Sequence, residues 1–259
     1  MHVLLIDGLN LIRRVYAGVP GEEGSPAHVD DAINASVASV KRAVADTQPT
    51  HAIMAMDRAG LSWRHTLYSQ YKANRAPMPE ALRSALPQIE QACAEIGVVS
   101  VGVENFEADD VLASIACRLA TRMRVTVLST DKGILPLLTQ GVAIRHHFDR
   151  RNLNDAYVQE RFGVRAQQLT DWLALVGESA LNIPGVPSFG PKTATRLLCE
   201  HGDIDTLLSA QEGLSDKQRA VLDANAEDLQ MWRQLFSLRT DLDVGLNLAD
   251  CRLPHSHHV

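Results

Sequence analysis

The sequence predicts an α/β fold, a mainly parallel sheet with helices on both faces, followed by a helical C-terminal domain. Three observations carry this expectation. Val3-Leu4-Leu5-Ile6, Ala52-Ile53-Met54-Ala55-Met56 and Val125-Thr126-Val127-Leu128 are short, largely apolar runs without clean alternation, as strands buried on both faces should be. Helix-period segments separate these runs, and repeated strand–helix alternation implies parallel crossovers. Past residue 150 the strand signals stop and helical patterns continue to the end.

Taken in order, the first strand ends at Asp7-Gly8, and residues 20–28 read as a loop from Pro20, Gly21, Gly24, Ser25 and Pro26. A helix follows from Asp30, with Ile33, Val37, Val40 and Val44 on one stripe, and stops before Pro49. The second strand ends at Asp57. After a basic stretch over 58–76, Pro77-Met78-Pro79-Glu80 is a helix-start signal. Leu82, Leu86, Ile89, Cys93 and Ile96 mark that helix's apolar side, and Pro87 predicts a kink or restart. Val98–Val101 is a third strand. The next helix opens on Glu107-Ala108-Asp109-Asp110, and Val111, Leu112, Ile115 and Leu119 fall within an arc of about 100°. Glu107 and Asp110 lie beyond one edge of that stripe and Asp109 beyond the other. The fourth strand runs into Ser129-Thr130-Asp131-Lys132-Gly133, and Val142-Ala143-Ile144 is a fifth. Helices are predicted over 154–162, 167–176, 192–201, 203–210, 215–225 and 227–238. The division is thus an α/β body over 1–150 and a helical domain over 151–250, with a disordered tail over 251–259.

The 259 residues can bury a sizeable core, and 46% hydrophobic with 22% charged residues are the proportions of a soluble globular protein. No apolar run approaches the roughly 18 residues of a membrane span, and the N-terminus has no basic leader, so a cytoplasmic protein is expected. Cys93, Cys117, Cys199 and Cys251 form no C-x-x-C pair and read as small buried hydrophobes in a reducing compartment. A net charge of −6 argues against general polyanion binding. Against that background residues 58–83 stand out, with Arg58, Arg64, Lys72, Arg75 and Arg83 facing only Glu80.

Asp7, Asp57 and Asp131 each follow on a strand, and the Glu107-Asp109-Asp110 cluster opens the helix after another. Singly, each reads as a turn or cap residue. Sites in parallel sheets form at the carboxyl ends of strands. Gathered there, about six carboxylates could not all stay ionised without a cation among them. Hard oxygen donors with no His or Cys nearby point to Mg²⁺, with Mn²⁺ as the expected substitute, and not to zinc. Such centres clamp phosphate oxygens and activate water. A separate signal lies in Ile183-Pro184-Gly185-Val186-Pro187-Ser188-Phe189-Gly190-Pro191-Lys192-Thr193-Ala194. Here a glycine- and proline-rich turn opens a helix whose N–H groups suit contact with a nucleic-acid backbone.

In sequence order, Leu5-Ile6-Asp7-Gly8, Trp63-Arg64-His65 to Tyr71-Lys72-Ala73-Asn74-Arg75, Glu107-Ala108-Asp109-Asp110, Thr130-Asp131-Lys132 and Asn182 to Ala194 resemble the motifs of the 5′-nuclease (flap endonuclease) family. The N-terminal nuclease domain of bacterial DNA polymerase I is one example, and the resemblance covers nearly the whole chain. It implies a PIN-like 5′-nuclease core with a helical arch over about residues 64–96, and a helix-hairpin-helix DNA-binding motif in the C-terminal domain. It also implies metal-dependent cleavage of a phosphodiester near the junction of a 5′ flap with duplex DNA, with branched DNA as the partner; nothing in the sequence suggests an obligate oligomer, so a monomer is expected. Asp7, Asp57, Glu107, Asp109, Asp110 and Asp131 would hold metal, with Lys72, Asp109 and Asp110 at the chemistry. Arg64, Tyr71 and Arg75 would line the passage for the single strand, Tyr71 as a stacking face; ordinary packing is the competing reading of Tyr71. Ser188, Phe189, Gly190, Pro191, Lys192 and Thr193 would grip the duplex. The carbonyls of Leu175, Val176, Pro184, Val186 and Phe189 would hold a potassium ion.

Two departures stand beside the resemblance. The family's second metal position has D-x-D and G-D-x-x-D-N, whereas this chain reads Asp131-Lys132-Gly133 and Gly177-Glu178-Ser179-Ala180-Leu181-Asn182. A firm first metal site and a weak or transient second one are therefore expected. With no polymerase domain following, the chain is most similar to stand-alone exonuclease IX-type flap endonucleases. The alternative is a branched-DNA-binding protein that has lost catalysis with the second site. A phosphatase using Asp7 as nucleophile would need a second acid at position 9, where Leu9 stands.

Overall fold

The computed structural model describes residues 1–254. Strands β1 (His2–Asp7), β2 (His51–Ala55), β3 (Val99–Val101), β4 (Arg124–Leu128), β5 (Ala143–His146) and β6 (Arg151–Leu153) form one sheet in the spatial order β3-β2-β1-β4-β5-β6. All neighbours are parallel except β5 and β6. The register sets Leu5 between Ile53 and Val127. The chain steps from β1 outward to β2 and β3, then crosses to β4 on the other side of β1. That reversal is where a parallel sheet leaves a crevice at its carboxyl edge.

The helices are α1 (Gly8–Gly18), α2 (Pro26–Thr47), α3 (Trp63–Leu67), α4 (Glu80–Glu95), α5 (Ala108–Ala120), α6 (Asp155–Phe162), α7 (Leu169–Val176), α8 (Pro191–His201), α9 (Ile204–Ala210), α10 (Asp216–Ala224) and α11 (Ala226–Phe236). Alternate residues of the strands feed two separate cores. Leu4, Ile6, Ala52 and Met54 pack with apolar residues of α1, α2 and α4. Val3, Leu5, Ile53, Val125 and Val127 face α5, and that core runs on into the C-terminal helices through Trp172, Leu197 and Trp232. No helix among the described residues is long and apolar enough to cross a membrane.

Several sequence expectations need correction. Residues 8–18 form a helix that the strand-ending reading of Asp7-Gly8 passed over, with Leu11, Ile12 and Tyr16 buried on its inner face. Strand β6 lies beyond residue 150 and is antiparallel. Helix α4 continues through Pro87 without a break. Cys199 is exposed, unlike Cys93 and Cys251. The expected disordered tail begins too early: Cys251 is fully buried and Arg252 bridges to His51. The remainder of that tail, 255–259, lies outside the described residues.

The turn between α7 and α8 depends on two glycines packed back to back. Gly177 and Gly185 have φ of +79° and +71°, and a Cβ on Gly185 would lie 2.4 Å from the Val176 carbonyl carbon. Neither a side chain nor an ordinary backbone conformation fits there. Gly185→Ala is expected to cost about 2 kcal/mol or more, lowering the melting temperature by roughly 4–8 °C in calorimetry.

Candidate active site

Each site carboxylate owes its place to a strand end or helix start. Asp7 closes β1 and caps α1, accepting from the Asn10 N–H at 3.2 Å. Its other oxygen accepts from Ser129 Oγ at 2.7 Å, across the switch point from the end of β4. Asp57 follows β2 and accepts from the Ala108 N–H at 2.6 Å, capping α5 from the neighbouring strand. Asp131 follows β4 and accepts from the Gly133 N–H at 2.8 Å. Asp109 sits in the first turn of α5, and among the described residues no hydrogen bond reaches its carboxylate.

These four and Glu107 line one cleft of about 630 Å³, together with Lys72, Arg75, Arg13 and Arg14. The floor is acidic and the rim basic. Burial, together with the neighbouring Asp7, Asp131 and Glu107, holds the Asp109 carboxyl well above its ordinary pKa. Asp7 is pushed up to about 7, first by burial and then, against its hydrogen bond from Ser129, by Asp131. Burial and the neighbouring Arg75 push Arg13 down.

The remaining acids of the cluster are engaged otherwise. Asp110 is fully buried, and Arg64 grips it with two bonds of 2.6 and 2.9 Å. Trp63 Nε1 and the Arg239 N–H add bonds of 3.0 Å each, and the Glu107 N–H one of 3.4 Å. Glu107 accepts from Lys72 Nζ at 2.6 Å, Tyr71 OH at 3.0 Å and Arg64 Nη1 at 3.1 Å. Asp110, expected as a metal ligand and in the chemistry, has both oxygens bonded to a buried guanidinium, which sets it apart from the unpartnered Asp109. Arg64, 3% exposed, and Tyr71, 4% exposed, cannot line a passage for a strand. Packing is what Tyr71 does. Lys72 and Arg75 do reach the cleft.

Lys72 adopts a left-handed backbone, φ +56°, held by its N–H on the Leu181 carbonyl at 2.9 Å. Asn74 Nδ2 bonds the Ser179 carbonyl, and Asn182 Nδ2 bonds the Gln70 carbonyl, both at 2.8 Å. The basic turn is thus fastened to the segment before the hairpin. Within that segment Glu178 pairs with Lys132. On the hairpin itself, Ser188, Gly190, Pro191 and Lys192 are exposed and Thr193 is half-buried. Phe189 is an anchor, 1% exposed, so its side chain is not available to a duplex. The carbonyls of Leu175 and Val186 already accept from Val186 and Phe189, and those of Val176 and Pro184 flank the paired glycines.

Sequence reasoning missed Asn10, Arg13 and Ser129, the first two because α1 went unrecognised. The spacing of Leu11, Ile12, Val15 and Tyr16 was the signal that would have shown the helix.

Donor chemistry favours a hard divalent cation, since Asp109 is an unpartnered carboxylate among like charges. Among the described residues no group of three acidic, histidine or cysteine side chains is placed close enough together to hold a metal ion.

Residues 2–163 match the model of the 5′-3′ exonuclease N-terminal resolvase-like domain, and residues 164–258 that of the 5′-3′ exonuclease C-terminal SAM fold. The chain belongs to the 5′-3′ exonuclease family. Within it, the protein named Flap endonuclease Xni of Pectobacterium carotovorum is 40% identical, spanning 98% of this chain and 95% of its own. Flap endonuclease Xni of Vibrio cholerae is 36% identical over 99% of this chain and 98% of its own. The fold is that of T5 5′-exonuclease solved with zinc, at TM-score 0.78 and 21% identity over 93% of this chain and 90% of that one. A catalytic core of Rad2 with DNA substrate shares it at TM-score 0.59 and 11% identity, over 93% of this chain and 79% of that one.

Two outcomes follow from this geometry. A carboxylate whose folded pKa is raised binds a proton that the unfolded chain has already lost, so its contribution to stability falls as pH rises through the folded value. Asp109→Asn is therefore expected to raise the melting temperature of the metal-free protein at pH 8. It should also flatten the fall in wild-type stability expected as pH rises above the ordinary carboxylate range. Arg64→Met should cost about 3–5 kcal/mol by stranding Asp110, and Arg64→Met with Asp110→Leu should recover much of that loss in denaturant unfolding.

Proposed function

We propose that the protein is a divalent-metal-dependent 5′-flap endonuclease, hydrolysing phosphodiesters at single-strand/duplex junctions of DNA. The observation that carries this reading is Asp109, an acid without a hydrogen-bond donor, set with Asp7, Asp57 and Asp131 in a cleft with a basic rim. The relatives named flap endonuclease over nearly full length support it. Asp109, Asp7, Asp57 and Asp131 would hold Mg²⁺ or Mn²⁺. When bound, the ion supplies charge against phosphate oxygens and an activated water.

The chain's own groups do the rest. Lys72, 2.6 Å from Glu107, carries a positive charge into the cleft beside the acids, where it meets the scissile phosphate. Arg13 and Arg75 on the rim draw the strand in and orient it. The exposed Ser188, Gly190, Pro191, Lys192 and the start of α8 hold the duplex backbone. A potassium ion on the carbonyls of Leu175, Val176, Pro184, Val186 and Phe189 would stiffen that grip. It is supported by the close approach that Gly177 and Gly185 enforce between the two backbone runs.

A second metal position is impaired in this reading. Beyond Asp131 it retains only Glu178, which is paired to Lys132, while Gly133 and the half-buried Leu181 offer no oxygen side chain. The absence of a membrane-crossing helix among the described residues and the free cysteines support a cytoplasmic protein, which we take to act as a monomer.

A labelled 5′-flap duplex with Mg²⁺ tests the proposal. Junction cleavage that disappears in EDTA and in Asp109→Ala is expected, with Lys72→Ala slower by roughly 10²–10³-fold, the range for removing one preorganised charge. Binding without metal-dependent cleavage would leave a branched-DNA-binding protein instead.

A further inference from the structure

Next to the metal cleft lies a second cavity of about 440 Å³, whose lining includes Arg14, Ser39, Arg42, His147, Phe148 and Arg150. Its volume falls within the range of small-ligand pockets. Three separate elements aim arginines at it: α1 supplies Arg14, α2 supplies Arg42, and the turn between β5 and β6 supplies Arg150. Arg14 lines both this cavity and the metal cleft, so the two are neighbours along α1.

The charge there is only partly compensated. Among the described residues no carboxylate lines the cavity. Asp46 is the nearby counter-ion, and it is shared between Arg145 at 3.3 Å and Arg150 at 3.8 Å. Among the described residues neither Arg14 nor Arg42 has a carboxylate partner. His147 is buried and bonds Ser39 Oγ at 2.6 Å. Burial and the surrounding positive charge, Arg42 first, push its pKa down to about 4. The imidazole is therefore neutral, and the positive potential comes from the guanidinium groups.

Phe148 supplies the second half of the argument. The residue lines the cavity, is 43% exposed, and packs edge-to-face with His147, with ring centroids 5.0 Å apart. An exposed aromatic face beside unpaired guanidinium groups offers complementary contacts to a base and to a phosphate.

We propose that this cavity binds one nucleotide of the DNA strand that leaves the metal cleft along α1. Its phosphate lies against Arg14 and Arg42 and its base against Phe148. The assignment rests on the proposed nuclease function, and it extends the strand's path past the acidic site to the α1–α2 side of the sheet.

Fluorescence anisotropy on 5′-flap duplexes, with Ca²⁺ replacing Mg²⁺ to prevent turnover, tests it. The substrate strands are shortened one nucleotide at a time, and wild type is compared with Arg42→Gln and Phe148→Ala. Wild type should lose roughly tenfold in affinity at one step of the series, the size of one stacked base. Phe148→Ala should lack that step. Arg42→Gln should lower the slope of log affinity against log salt by about 1. Variants that match wild type at every length and salt concentration would overturn the assignment. So would a cavity that takes dAMP in calorimetry, in a manner lost in both variants, with no length-dependent step on DNA. A wild type that neither binds nor cleaves the flap duplex would instead overturn the functional reading, and this assignment with it.

Discussion

The buried ion pair between Arg64 and Asp110 is the contact on which the site is built. Arg64 donates to both oxygens of Asp110, to Glu107, and to the carbonyls of Leu235 and Ser237 at the end of α11. One guanidinium thereby joins α3, the start of α5 and the C-terminal helices. Ser114 adds to the same seam, bonding the Arg239 carbonyl and the Leu242 N–H. Burying such a pair has a large desolvation cost, and its return lies more in fixed geometry than in stability. The geometry it fixes is that of Glu107, which in turn holds Lys72 at the cleft.

A division of labour among the acids follows. Asp110 and Glu107 are satisfied by cations and shape the site, while burial first, and repulsion from neighbouring carboxylates second, raise the proton affinity of Asp7 and Asp109. A folded protein keeps such repulsion only at a stability loss, a trade-off typical of functional sites. The segment before the hairpin participates as well, since the Leu181 carbonyl holds the strained backbone of Lys72. The segment before the hairpin therefore positions the lysine through its backbone.

Much of this was legible in the sequence, and the limits are physical. The strands buried on both faces betray themselves as apolar runs, and the acids directly after them mark the carboxyl edge of a parallel sheet. The 100° spacing of α5 already separated Glu107 and Asp110 from Asp109. The structure gives that separation its meaning, with two paired acids on one side of the helix and the unpartnered one on the other. What could not be read was the partner: Arg64 lies far from Asp110 in the chain, and a basic residue in a basic segment reads as a nucleic-acid contact until its burial is known. Tyr71 carried the same ambiguity. Helix α1 was missed because Asp7-Gly8-Leu9-Asn10 has turn composition, although Asp7 uses that composition to cap the helix. Arg13 and Arg14 were lost with it, and so was the basic rim opposite Lys72.

The central claim is that Asp109, and not its neighbour Asp110, is a focus of a divalent-cation site left open in the fold. Titrating the metal-free protein with Mn²⁺ and counting bound ions by electron paramagnetic resonance tests it most directly. The account predicts one strong binding event in the wild type that Asp109→Ala abolishes. Strong binding that survives Asp109→Ala, or no strong binding by the wild type, would contradict it.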